Sequence, residues 1–248
     1  MFIPIGDRNN IQRFPIFTML LIVVNVFVFT AFTLLYSANE EIANLYVRFA
    51  FVPAYFTHGL FYETVATSIF LHASWAHLIG NMLFLWTFGQ MIEDALGHLG
   101  FLTFYLICGV AGSFAHYVTG PDSLIPLVGA SGAISGIVGA YFIGFPRQKI
   151  RVVIPPLFFL PFRVRALSLL FLWAVFQTAL GFLTLQAGET GVAYWAHVGG
   201  FAAGSVLFLL LRLMGRAQPY SETQRVMAEQ IASESHVDIR DLRKSRQP

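Results

Sequence analysis

The chain has 248 residues, of which 56% are hydrophobic and only 11% charged. Soluble domains carry about 25% charged residues, so this composition excludes an ordinary soluble domain and points to a bilayer. A formal net charge of +2 leaves no case for nucleic acid as a partner, and the single cysteine, Cys108, excludes an internal disulfide and reads as a packed thiol.

Residues 1–14 hold the basic residues Arg8 and Arg13, and an apolar stretch follows over about 15–36. That stretch is too long for the apolar core of a signal peptide and lacks a clear small-residue cleavage site, so it is expected to stay as a first membrane span. The external stretch from 37 to 71 is rich in aromatics, among them Tyr46, Phe49, Phe51, Tyr55, Phe56, Phe61 and Tyr62. That density suits a segment lying in the outer interface of the bilayer. Further apolar stretches cover about 76–92, 101–118, 131–145, 166–185 and 192–211. Lipid offers no partner for a backbone N–H or C=O, so each is expected to be a helix. Between the fourth and fifth, Pro155, Pro156 and Pro161 forbid a regular helix. Residues 215–248 are polar and mixed in charge, and nothing catalytic is expected there.

The sequence therefore predicts an all-α membrane protein with six transmembrane helices over 15–214, an N-terminal cytoplasmic segment 1–14 and a cytoplasmic tail 215–248. Orientation follows from the basic residues. With both termini inside, Arg8, Arg13, Arg147, Lys149, Arg151, Arg163, Arg165, Arg212, Arg216 and the basic residues of the tail all lie inside, and only Arg48 lies outside.

Polar residues within spans are costly and are functional candidates by default. The second span opens with His72, His77 and Asn81, the fourth with Ser131 and Ser135, and the sixth with His197. Ser131 lies 16 positions before Arg147, His197 lies 15 before Arg212, and His77 lies 16 before Glu93. At about 1.5 Å per residue each sits roughly 22–24 Å from its inner anchor, against a hydrocarbon core about 30 Å thick. All three spans run from outside to inside, so the three side chains share one layer. Gly132 and Gly136 on the fourth span, and Gly200 and Gly204 on the sixth, have the spacing that lets helices approach closely. Such packing would bring Ser131 Oγ to an imidazole nitrogen of His197, the base a serine needs to become a nucleophile.

His77 and Asn81 share a helix face and can both donate hydrogen bonds. Facing Ser131, they and the free N–H groups at the start of its helix would hold an oxyanion. No Asp or Glu lies in the outer half of any span, so the arrangement reads as a Ser–His dyad without a third carboxylate. Ser135 is expected to pack, and His58, His98, His116 and His236 fall in loops or at span ends with no chemistry assigned.

The stretch from His72 through His77 to Asn81, the serine motif Gly129-Ala130-Ser131-Gly132, and Ala196-His197-Val198-Gly199-Gly200 with Gly204 together resemble the rhomboid family of intramembrane serine proteases. The resemblance covers all six spans. It implies a six-helix core with Ser131 as nucleophile and His197 as base, and places His77, Asn81 and the Ser131 N–H in the oxyanion hole. It implies cleavage of single-pass membrane proteins near the outer end of their spans, with no metal or cofactor, in a bacterial inner membrane. It leaves as the alternative an inactive relative that binds membrane proteins without cutting them. Two features depart from the pattern. Tyr62-Glu63 stands where some members have Trp-Arg, and Ser135 stands where some have an aromatic stacked on the histidine. Another residue must then hold the His197 ring. The short fourth span requires a depression open to water at its outer end, and the fifth span with residues 186–191 is expected to move to admit substrate from the side.

Overall fold

The first membrane helix, α1 (Ile16–Leu35), starts on a carboxylate supplied by a later helix. Phe17 N and Thr18 N donate to Glu93 at 2.8 Å each, and Thr18 Oγ1 donates to it at 2.7 Å. The first N–H groups of a helix have no partner within it, and a negative charge there also suits the helix dipole. Glu93 is fully buried, and its second support is His98 Nδ1 at 2.6 Å. Arg13 N donates to the neighbouring Asp94 at 2.9 Å, extending the same anchor.

The computed structural model describes residues 3–6, 11, 13–35, 39–154, 158–187 and 191–218. The tail beyond 218, Pro155, Pro156 and residues 188–190 before the last helix lie outside the described residues. After α1 the aromatic-rich stretch folds into α2 (Asn39–Phe49), α3 (Pro53–Thr57), α4 (Thr64–Thr67) and a 3-10 turn, Ser68–Phe70. Its rings pack edge to face: Phe51 on Phe56 at 5.5 Å, and Phe56 on Tyr117 at 5.1 Å. Ala50, Phe51 and Val52 are buried, so the segment has a small core of its own.

The chain then bends by 93° into α5 (Trp75–Leu96). Ser74 caps this helix from an extended backbone, its hydroxyl accepting from His77 N at 3.2 Å. Gly97, at φ +72°, makes the tight turn into α6 (His98–Thr119). α7 (Ser131–Gly144) is short and central, with every residue from Gly132 to Tyr141 buried. α8 (Ala166–Ala187) and α9 (Tyr194–Leu213) complete the helices. Cys108 of α6 is buried against Gly136 of α7, the packed thiol expected.

The expectation of an all-α chain needs correcting. β1 (Ile3–Gly6), β2 (Lys149–Ile154) and β3 (Phe158–Arg165) form an antiparallel sheet in the order β1-β2-β3, so the protein is mostly helical with a sheet where α7 ends and α8 begins. β2 alternates as a strand does: Ile150 and Val152 are fully buried while Lys149 is exposed. Pro161 sits in β3, an edge strand, where a missing N–H is tolerated.

Among the described residues, four helices are long and apolar enough to cross a membrane: Ile16–Leu34, His98–Thr119, Ala166–Leu185 and Tyr194–Leu213. The bent pair Thr64–Phe70 and Trp75–Leu96 makes a fifth candidate, while Ser131–Gly144 is apolar but shorter. Exposed Phe171, Leu172, Phe176 and Phe182 on α8 present an apolar surface to lipid.

Candidate active site

The site is built on glycine contacts among three helices. A methyl group on Gly200 of α9 would fall on the Gly132 carbonyl of α7, and one on Gly204 would fall on the Gly136 carbonyl. On α6, a Cβ at Gly112 would lie 2.8 Å from the Ala196 carbonyl and 3.1 Å from Gly132 Cα. Backbones this close leave no slack, and they pin Ala196-His197 beside Ser131-Gly132. These are the faces expected from the glycine spacing.

Ser131 begins α7 and His197 lies in the first turn of α9. His197 Nε2 is 2.8 Å from Ser131 Oγ. Ser131 is partly buried. Ser135 does not reach this pair: its hydroxyl donates to the Ser131 carbonyl one turn back, at 2.7 Å.

His77 and Asn81 lie against the loop that leads into Ser131. Gly129, at φ +126°, has a backbone that only glycine adopts readily, and a Cβ there would be 2.7 Å from His77 Cε1 and 3.6 Å from Asn81 Nδ2. Gly129 N donates to the Ser68 carbonyl at 2.9 Å, fixing the loop. The four predicted residues are thus gathered at one end of the helix cluster. The arrangement is suited to a serine nucleophile with an imidazole base and several N–H donors nearby.

Three further residues belong to this site. Buried His72 accepts at Nε2 from Asn81 Nδ2 at 3.0 Å, which orients the amide and leaves its second N–H free to point elsewhere. Its ring also meets the His77 ring edge-on at 5.1 Å. Gln177 of α8 places Oε1 2.9 Å from His197 Nδ1. Trp173, one turn earlier on α8, stacks on the His197 ring at 6.4 Å and 29°. In the sequence His72 stands among the polar residues that open the second span, with nothing there to give it a role. Gln177 carried a usable signal, being a long amide near the middle of an apolar helix.

The Rhomboid domain family model matches residues 58–213, more than half of the chain. The chain belongs to the rhomboid family. It is 37% identical over 112 residues to presenilin-associated rhomboid-like protein A, mitochondrial, of Danio rerio, covering 43% of this chain and 29% of that protein. It is 46% identical over 74 residues to the rhomboid protease GluP of Bacillus subtilis, covering 30% of this chain and 14% of that one. A third relative, the putative rhomboid protease YdcA of the same organism, is 41% identical over 75 residues, covering 30% of this chain and 37% of its own. The chain spans well under half the length of each of these relatives.

Proposed function

We propose that the chain is an intramembrane serine endopeptidase working through Ser131 and His197. The observation that carries this reading is the 2.8 Å contact between Ser131 Oγ and His197 Nε2, made by residues 66 apart on two different helices. In the reaction, His197 Nε2 takes the hydroxyl proton as Ser131 Oγ bonds to the scissile carbonyl carbon. The resulting oxyanion is held by the Ser131 N–H, His77 and Asn81. His197 then returns the proton to the leaving amine as the C–N bond breaks, and water, activated by the same imidazole, releases the acyl group.

The substrates proposed are single-pass membrane proteins cut near the outer end of their spans. An unfolded or extended segment must reach a site recessed in the bilayer. With 14 residues, α7 is about 21 Å long, short of the roughly 30 Å hydrocarbon core, so its outer end lies in a depression open to water. Substrate enters past α8: an apolar groove of about 590 Å³ lies between it and its neighbours, lined by Phe142 of α7, Phe171 and Val175 of α8 and Phe201 of α9. We place six spans over 15–214, counting α7 as one of them, with 1–14 and the tail 215–248 on the cytoplasmic side by the basic-residue count. A bacterial inner membrane is proposed on the layout of the sequence alone; relatives named mitochondrial and chloroplastic do not favour it.

A fluorophosphonate probe tests the proposal. The wild-type chain in detergent or nanodiscs is expected to label, and Ser131→Ala is expected not to. Equal labelling of both, or cleavage of a membrane substrate by Ser131→Ala, overturns the assignment of Ser131, and labelling of neither overturns the proposal in favour of an inactive binding relative.

A further inference from the structure

We infer that Gln177 is the positioning residue of His197, setting both its tautomer and its rotation, so that the dyad is competent only while α8 is docked. The inference rests on the proteolytic reading above. It starts from a cost. α8 is apolar along its length, and Gln177 is only 8% exposed. A buried amide in an apolar helix is expensive unless partnered. The hydroxyls of Thr178 and Thr184 on the same helix are satisfied by their own backbone, at Ala174 and Gly181. Gln177 instead reaches across to His197.

The chemistry of that contact is directional. An amide oxygen only accepts, so Gln177 Oε1 at 2.9 Å requires the proton on His197 Nδ1. Nε2 then carries a lone pair and faces the Ser131 hydroxyl at 2.8 Å as an acceptor. The other tautomer would present an N–H to Ser131 and have no basic nitrogen there. Trp173 lies four residues before Gln177, on the same face of α8, and its stacked ring restrains the imidazole. Tyr194 closes the other side edge-on at 6.4 Å. Two of the three groups holding His197 thus come from α8. A serine protease usually assigns this task to a carboxylate; here a neutral amide performs it without bringing a charge into the bilayer.

The test uses the full chain in nanodiscs. Nitrogen-15 histidine NMR, with His197 identified by its loss in His197→Ala, is expected to show the Nδ1–H tautomer in wild type. In Gln177→Leu that signal moves toward the Nε2–H form, and in Gln177→Glu, which can only accept, it stays. Gln177→Leu is expected to lower kcat about ten- to a hundredfold with KM within about twofold, since the tautomer and orientation of the base are lost and no contact to substrate is. Gln177→Glu is expected to keep most of the rate and to move the acid limb of the pH–rate profile upward by about one pH unit. An Nε2–H tautomer in wild type, or a Gln177→Leu variant with wild-type kcat and pH profile, overturns the inference. Wild type with the Nδ1–H tautomer but no fluorophosphonate labelling overturns the proteolytic reading instead, and the catalytic meaning of the contact with it. Should Gln177→Leu fail to fold, Gln177→Glu alone decides through its pH profile.

Discussion

Gly204 of α9 lies backbone to backbone on Gly136 of α7, so close that a single added methyl would occupy the Gly136 carbonyl. A rigid carbonyl cannot yield as a flexible side chain would. Gly204→Val is therefore expected to lower stability by about 2–3 kcal/mol or more, read as an earlier midpoint in denaturant. Gly80→Ala is the control: nothing lies within 4 Å of the added carbon, and the variant should be neutral or up to about 1 kcal/mol more stable.

Ser131 and His197 act on one proton, so their losses should not add. Ser131→Ala and His197→Ala are each expected to remove cleavage to background. The double variant should be no slower than either alone. Single-turnover cleavage of a tagged membrane substrate measures this, and a further drop in the double variant would show that the two residues act separately.

The oxyanion assignment separates two residues that touch. Asn81→Ala should lower kcat by about 10²-fold, in line with loss of one donor. His72→Ala removes only the acceptor that orients the amide, and a smaller loss of about three- to tenfold is expected. KM should move little in both. Equal losses would instead place His72 in contact with substrate.

Glu93→Ala leaves the first N–H groups of α1 and the Thr18 hydroxyl without their acceptor in a buried position. A cost of about 3–5 kcal/mol is expected, as for one partner removed from a buried charged network. Thr18→Val, which removes one of the three donors, should cost about 1 kcal/mol. Thermal stability in detergent, with α1 followed by a cysteine-accessibility probe, checks both.

Outside the membrane, the Arg48 guanidinium hydrogen-bonds Glu63 at 2.6 Å and holds its carboxyl below the usual value of 4.5. A depressed folded value means the pair's contribution is complete above that ordinary value and is lost as pH falls through the lower one. Both side chains are about half exposed, 51% and 53%, so the contribution is small and falls with salt. Glu63→Gln should melt slightly below wild type at neutral pH. The two should converge as acidification carries the pH below that ordinary value and through the lowered one, and again at high salt.

Much of this was legible in one dimension. The apolar stretches became α1 and α5 to α9 within a few residues, because a backbone in lipid has few alternatives to a helix. The glycine faces of α7 and α9 were legible because i, i+4 spacing fixes a face whatever lies opposite it. The sheet was not. Lys149 to Ile154 alternates like a strand, but the prolines that follow it, Pro155, Pro156 and Pro161, mark only a break in helix, and its partner β1 is about 150 residues away in sequence. Gln177 and Trp173 escaped for another reason. Spacing along α8 shows that they share a face, but not which neighbour that face meets. The contacts on the His197 ring that Ser135 cannot supply come from across the helix interface.

Glu93 holds the start of α1 from 75 and 76 residues downstream. During synthesis, α1 therefore enters the membrane well before its anchor has been made. α1 is complete long before this anchor exists, and its docking waits on the far end of α5. A nascent chain halted before Glu93 carries an inserted but undocked first helix. Glu93 in this way sets an order of assembly as well as a position.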